Sequence, residues 1–282
     1  MKRLRHDHTA IFMLPALLML AVAFLIPLAG FFVQVLLVEQ QPGTLLPAIQ
    51  QIVTSKATLT AVVTTNWIAI LVTLFVLIAG YPIAYYLTQA SSVSASLVIF
   101  SIVVPYFTSI IVRTYSWMVL LGRTGIINTV LQSLGLIDAP LPLLYNKAAV
   151  AIGMAYVLLP YMILTLYAAM KAIDMTYVRA ARGLGAGGLY TFWRVYFPLS
   201  LPGVLSGSLI VFILATGFFI TPALMGGPSD VLIAMLIERA VEINVDWASA
   251  AILSLLLLGV TLLLYAIYFR VTDVRRLVGA GR

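Results

Sequence analysis

The chain contains no cysteine, two histidines and only 9% charged residues among its 282 positions. Without cysteine there are no disulfides and no thiol chemistry, and the redox compartment stays open. A soluble domain carries about 25% charged residues, so a soluble fold is excluded. Here 63% of the residues are hydrophobic. No cluster of His, Asp, Glu or Cys gathers at one place, which argues against a membrane-embedded enzyme. No G-x-x-x-x-G-K-[ST] loop occurs, so this chain has no phosphate cradle of that kind. His6 and His8 flank Asp7 near the start. Two imidazoles do not close a metal shell, and no metal site is expected there.

What is present is a series of long apolar runs. A helix needs about 20 such residues to cross a bilayer, and six runs qualify: 11–38, 59–87, 97–120, 148–170, 203–224 and 247–269. Between Lys56 and Arg113 there is no Asp, Glu, Lys, Arg or His. An ionised group at the bilayer centre costs about 2.5–3.5 kcal/mol on insertion scales. The expected fold is all-α and polytopic, with six transmembrane helices in one membrane domain.

Charge sets the expected orientation. With the N-terminus inside, eleven of the sixteen Lys and Arg fall on inner segments and five on outer ones, as the positive-inside rule requires. Both termini and the segment 171–198 are then cytoplasmic. The basic excess is a topology signal and not a nucleic-acid footprint. The first run follows Lys2, Arg3 and Arg5 and is too long for a signal-peptide core of about 7–15 residues, so it is read as a retained anchor.

Four of the crossings contain a breaker: Pro82, Pro105, Pro160 and Pro222. Proline removes a helical hydrogen bond, and the freed carbonyls must face protein or water. A water-lined path is the expectation. Tyr81, Tyr85, Tyr106, Tyr115, Tyr156 and Tyr161 lie beside these breaks and are candidates to line it, against the alternative of packing and interfacial belts. Two readings stand for Arg113: a functional intramembrane charge, or a side chain snorkelling to the outer surface. Gly203 and Gly207 form a small-xxx-small pair suited to close helix contact. Outside the spans, short helices are expected at 126–134, ended by Gly135, and at 231–242. The acidic stretch Asp230, Glu238, Glu242 and Asp246 is either a solvated face or an attraction for cationic cargo.

Residues 171–198 read KAIDMTYVRAARGLGAGGLYTFWRVYFP. One helix is expected over 175–184, with Gly185 supplying a left-handed residue at its end. A second is expected over 189–195, stopped by Pro198. Ala180 and Ala181 allow a close approach, and Arg179, Arg182 and Arg194 give a positive rim.

At these residues the chain resembles the permease subunits of binding-protein-dependent ABC importers. Ala180, Ala181, Gly185, Val195 and Pro198 match that family's loop signature in register, with Phe197 for a leucine and Arg179 where the family has glutamate. The segments GYPIAYYL (80–87), VPYFTSIIVRTYSW (104–117), GIINTVLQSLGLID (125–138), YVLLPYMILTLYAAMKAID (156–174) and LMGGPSDVLIAMLIE (224–238) are similar to the first membrane subunit of spermidine/putrescine importers. The resemblance implies a type I importer permease (MetI-like) fold, with 59–270 as a five-helix core, 1–58 an added tail, helix and loop, and 271–282 a tail. It also implies the partners: a second permease, two cytoplasmic ATPase subunits holding ATP and Mg, a periplasmic or lipid-anchored binding protein, and lipid, with no cofactor on this chain. Relatives of this branch also import opines, aminophosphonates and iron. No Asp or Glu sits deep in any span. A polycation therefore draws its countercharge from the second permease, or the path binds weakly and the binding protein selects. A stand-alone secondary transporter is the rival class, and it lacks the intramembrane acid or histidine such a carrier uses.

Overall fold

The computed structural model describes residues 9–38 and 45–272. His6, His8, the N-terminal basic cluster and the C-terminal tail lie outside the described residues, as do the ends whose side of the membrane was expected. The described residues form fourteen helices: α1 Thr9–Leu20, α2 Ile26–Val33, α3 Leu45–Thr54, α4 Lys56–Gln89, α5 Ser92–Val103, α6 Ile110–Leu121, α7 Ile126–Ser133, α8 Lys147–Lys171, α9 Met175–Gly183, α10 Gly188–Thr191, α11 Phe197–Thr216, α12 Ile220–Met225, α13 Ile233–Glu242 and α14 Trp247–Thr272. Six stretches are long and apolar enough to cross a membrane.

Side-chain caps fix where the long helices begin. The Ser55 hydroxyl accepts from the Thr58 amide at the start of α4, and the Asn146 side chain accepts from the Ala149 amide at the start of α8. Each satisfies one of the four orphan amides of a helix N-terminus. The core lies where α4, α8 and α11 meet. Ile68, Val72 and Val76 of α4 and Met154, Leu158, Met162, Ile163 and Leu166 of α8 are all but inaccessible there. Lipid tails are as apolar as these side chains, so close packing rather than water exclusion holds such helices together. Glycine supplies the closeness. A Cβ on Gly203 would lie 2.5 Å from the Ala169 Cβ, and one on Gly207 2.9 Å from the Met162 sulfur. The Gly203/Gly207 pair is thus the α8–α11 contact.

The first span, Leu14–Leu36, leaves its apolar window open. It meets the bundle through an edge-to-face contact of Phe31 with Trp247, beside the buried Val35.

Two expectations about continuity are corrected. The run 97–120 is not one helix. After α5 the chain tightens into a 3₁₀ turn, Val104–Phe107, and is extended at Thr108 before α6 begins. Pro105 has no N–H to give to Ser101, and its ring crowds that carbonyl. The helix restarts at Ile110, and the Arg113 amide donates to the Ser109 carbonyl. Nor does Pro198 stop a helix. Helical backbone runs through Gly188–Thr216, by way of a π-turn at Phe192–Tyr196 in which the Phe197 amide reaches back five residues to the Phe192 carbonyl. That wide turn shifts the ladder just before the proline and relieves the clash a regular α-turn would force. The actual end is Thr216, with Gly217 as cap and α12 following. Pro222 sits in the first turn of α12, where its missing N–H is no loss.

Candidate functional site

The α8–α11 connection is built from caps. The Asp174 carboxylate accepts from the Thr176 amide and starts α9. Hydrogen bonding from Thr176 holds the Asp174 carboxyl below its ordinary range. At the other end the Ala186 amide donates to the Ala181 carbonyl and the Gly185 amide to the Arg182 carbonyl. These are the paired bonds of a Schellman motif. Gly185 takes φ +85°, a conformation that costs roughly 1–2 kcal/mol for a residue with a Cβ. Val178 buries itself in the core and Ala181 is half-buried, while Thr176, Arg179, Ala180 and Gly183 face outward. Arg179 donates to the Thr176 hydroxyl at 3.2 Å. Arg182 and Arg194 are exposed. The turn also carries bare apolar side chains: Leu184 is 90% exposed and Leu189 76%, beside Tyr190 and Trp193. Apolar side chains gathered on an exposed turn mark an interaction surface. A Cβ on Gly183, Gly187 or Gly188 would meet nothing within 4 Å, so no close contact inside the chain requires glycine there.

Behind this surface the sequence candidates Tyr81 and Tyr85 meet residues that reading did not single out. Phe192 lies edge-on to both rings, at 6.2 and 5.6 Å, and Tyr85 lies edge-on to Tyr196 at 5.0 Å. The Ser200 hydroxyl donates to the Phe197 carbonyl, which leaves it to accept from the Tyr81 hydroxyl at 2.8 Å. Phe197 lies against Tyr81 and Trp193, Val195 is half-buried and Pro198 exposed. The far end of α4 is thereby tied to the π-turn. Nothing in the spacing of Phe192, Tyr196 or Ser200 advertises this.

Tyr106, Arg113, Tyr156 and Tyr161 gather elsewhere, where α5 breaks. The Arg113 guanidinium sits 5.3 Å from the centre of the Tyr106 ring, and Tyr106 lies edge-on to Tyr161 at 5.3 Å. Tyr156 lies edge-on to Trp117, one turn beyond Arg113. At about 1.5 Å per residue, Tyr161 is roughly 21 Å along the roughly 37 Å of α8, near mid-span. Tyr156 and Tyr161 are each 37% exposed. Tyr115 is not in this group and is open on another face of α6. The Arg113 Nε is buried without a hydrogen-bond partner among the described residues. A cation–π contact contributes about 0.5–2 kcal/mol, less than the roughly 2.5–3.5 kcal/mol that centring an arginine in a bilayer costs. Beside the cluster, a cavity of about 170 Å³ is lined by Ile110 and by residues 217–220, where two interrupted helices meet. Thr114 and Thr221 bond at 3.2 Å across them.

Two of the four acids of the acidic stretch serve the loops. Asp230 is buried and accepts from the Gly227 amide, and Asp246 accepts from the Ser249 amide at the start of α14. Asn128, in the short helix α7, is buried, donates to the Gly122 and Leu141 carbonyls and accepts from the Leu141 amide.

An all-helical bundle with interrupted spans, a charged aromatic face at mid-span and a projecting helix–turn–helix defines a multi-pass membrane transport subunit. The chain belongs to the family of binding-protein-dependent transport system inner membrane components, whose pattern it matches over residues 77–274, and is a permease subunit of an ABC importer. It is 33% identical over 259 residues to the spermidine/putrescine transport system permease protein PotB of Haemophilus influenzae, covering 92% of this chain and 87% of the relative. The protein of that name in Escherichia coli K12 is 36% identical over 202 residues, 72% and 74% of the two chains. A bacterial alginate ABC transporter, solved with an alginate-pentasaccharide-bound periplasmic protein, shares the fold. Its TM-score is 0.71 at 16% identity, covering 93% of this chain and 92% of that one.

Proposed function

We propose that this permease carries polyamines inward along a path shared with a second permease subunit, powered by two ATPase subunits that hold ATP and Mg. The α8–α11 connection is the docking plug, cytoplasmic like both termini. Arg179, Ala180, Ala181, Arg182 and Gly185 present it, and Val195, Phe197 and Pro198 carry its motion into α11. A periplasmic or lipid-anchored binding protein delivers the cargo to the opposite face. The observation that carries the coupling role is the turn itself: a left-handed glycine throws Leu184 and its apolar neighbours into the open. The polyamine assignment rests on the two relatives named above. The path is assigned to the face of Tyr106, Arg113, Tyr156 and Tyr161, whose rings attract ammonium groups.

A second reading, an importer of anionic solutes, is favoured by one observation, the mid-span guanidinium of Arg113. Reconstitution decides between them. The chain is placed in liposomes with its second permease, ATPase pair and binding protein, and uptake of labelled spermidine and putrescine is measured against an opine, an aminophosphonate and iron. The expected result is saturable, ATP-dependent polyamine uptake that stops when any subunit is omitted. Uptake by this chain alone, or uptake of the opine, the aminophosphonate or iron but not of polyamines, overturns the proposal.

A further inference from the structure

We infer that Arg113 stands in for the cargo: in the empty transporter it pairs with a carboxylate that the second permease places at mid-span, and an arriving polyamine displaces it. This rests on the polyamine reading. None of the six candidate spans holds an Asp or Glu, and the acids of the loops are spent on loop amides or lie at the ends of the bundle. The guanidinium has five N–H donors and no acceptor. Its visible partner is the Tyr106 ring, and its Nε is buried and unbonded among the described residues. A charge so placed draws an anion.

That anion is not the cargo, because a polyamine is a cation and is repelled by Arg113. Yet the cargo has the same need. It must cross a face of Tyr106, Tyr161, Tyr156 and Trp117 that gives ammonium groups aromatic contact but no carboxylate. One carboxylate supplied across the open side of this face meets both demands, but not at the same time. Tyr156 and Tyr161 remain partly exposed in the single chain, which leaves that side free for the second subunit. Arg113 and the ammonium group are therefore competitors for one site, and the empty pathway keeps its acid neutralised.

The competition reverses the usual expectation for a residue in a binding path: removing Arg113 strengthens cargo binding. If Arg113 holds the carboxylate nine-tenths of the time, its loss tightens the apparent dissociation constant about tenfold. The test uses the permease pair with its ATPases in nanodiscs, without binding protein, and measures labelled spermidine binding. Arg113→Gln is expected to bind about tenfold tighter than wild type. This chain has no other cysteine, so with any thiols of the partner subunits replaced Arg113→Cys can be used; it should also bind tighter, return toward wild type when an aminoethyl thiosulfonate restores a positive charge, and stay tight with a neutral methyl reagent. Unchanged or weaker binding in assembled Arg113→Gln overturns the inference.

Wild-type complex gives a second measurement that does not depend on the variants assembling. Spermidine should increase modification of Arg113 by phenylglyoxal, read by peptide mass spectrometry, because displacement frees the guanidinium. Protection by spermidine, or no change, overturns the inference. A wild-type complex that neither transports nor binds polyamine is the separate failure of the polyamine reading.

Discussion

Replacing Gly203 with alanine should destabilise the bundle, whereas the same change at Gly207, one turn further along α11, should not. The new Cβ at position 203 would stand 2.5 Å from the Ala169 Cβ. Carbon atoms rest about 3.5–4.0 Å apart, so more than 1 Å must be found. Neither group has a rotamer to escape into, and α8 and α11 have to part. A gap of 0.5–1 Å already gives up a quarter to a half of each dispersion well along the contact, and overpacking of this kind costs about 1–3 kcal/mol. With no rotamer to relieve it the overlap takes the upper part of that range, about 2–3 kcal/mol, and alanine recovers up to about 1 kcal/mol of helix propensity over glycine, leaving a net loss of about 1–2 kcal/mol. At Gly207 the obstacle is the Met162 sulfur at 2.9 Å, on a flexible side chain that can turn aside. There the propensity gain cancels or exceeds the cost. Ala169→Gly removes the facing methyl and should return more than half of what Gly203→Ala takes away. The assay is reversible unfolding of the purified chain in mixed micelles, run as a double-mutant cycle. Gly203→Ala within about 0.5 kcal/mol of wild type, or a double variant as unstable as the single, refutes the close-contact argument.

Gly185→Ala should cost roughly 1–2 kcal/mol at the turn because of its positive φ. It should lower uptake and ATPase coupling in the full assembly while membrane insertion, followed by protease protection, is unchanged. Gly183→Ala meets no atom within the chain, so a loss of uptake there with stability kept or raised places a neighbouring subunit against that backbone; unchanged uptake removes that contact. Tyr81→Phe and Ser200→Ala both remove the same 2.8 Å bond, which should cost about 0.5–1.5 kcal/mol; Ser200→Ala also loses the bond to the Phe197 carbonyl, so the double variant should be little worse than Ser200→Ala alone in the unfolding assay. Asp174 titrates below its ordinary range, so its contribution to the start of α9 is fully present above the unfolded value of 3.8 and is lost as pH falls through the lower folded value. Hydrogen exchange at the Thr176 amide, corrected for intrinsic rate, should show no loss of protection between pH 7 and 5 and a loss only in stronger acid.

The spans were legible because lipid imposes one rule on every buried segment, and hydropathy reads that rule directly. The turn at Gly185 was legible for a similar reason: a glycine that follows a helix-forming run leaves little else for it to do. The break at Thr108 was not, since Pro105 stands among residues as apolar as those of any continuous helix, and Pro82 and Pro160 sit inside helices that do continue. Whether a proline ends a helix depends on what can receive the freed carbonyls, a tertiary fact. Pro198 misled for the same cause, because a π-turn admitted it. Among the candidate tyrosines, residue type could not separate Tyr81 and Tyr85, which close on Phe192 and Tyr196, from Tyr106, which closes on Arg113, and Tyr161, which closes on Tyr106. That division is made by which helix lies opposite, and a single sequence carries no record of it. Asn128 and Asp230 hid their roles likewise, since the backbone groups they bond are the same at every residue.

The surplus residue in the turn at Phe192–Tyr196 has a consequence for how the subunit is aimed. Each residue advances a helix by about 100°. Deleting one here would leave the chain helical but swing the protruding end around the axis relative to the glycines that seat α11 against α8. The compass bearing of the α8–α11 connection is thus stored as a count, indifferent to which side chains make it up, and an insertion or deletion at this spot would turn Val178 and Phe192 away from the bundle while the bonds within α9 and within α11 survived.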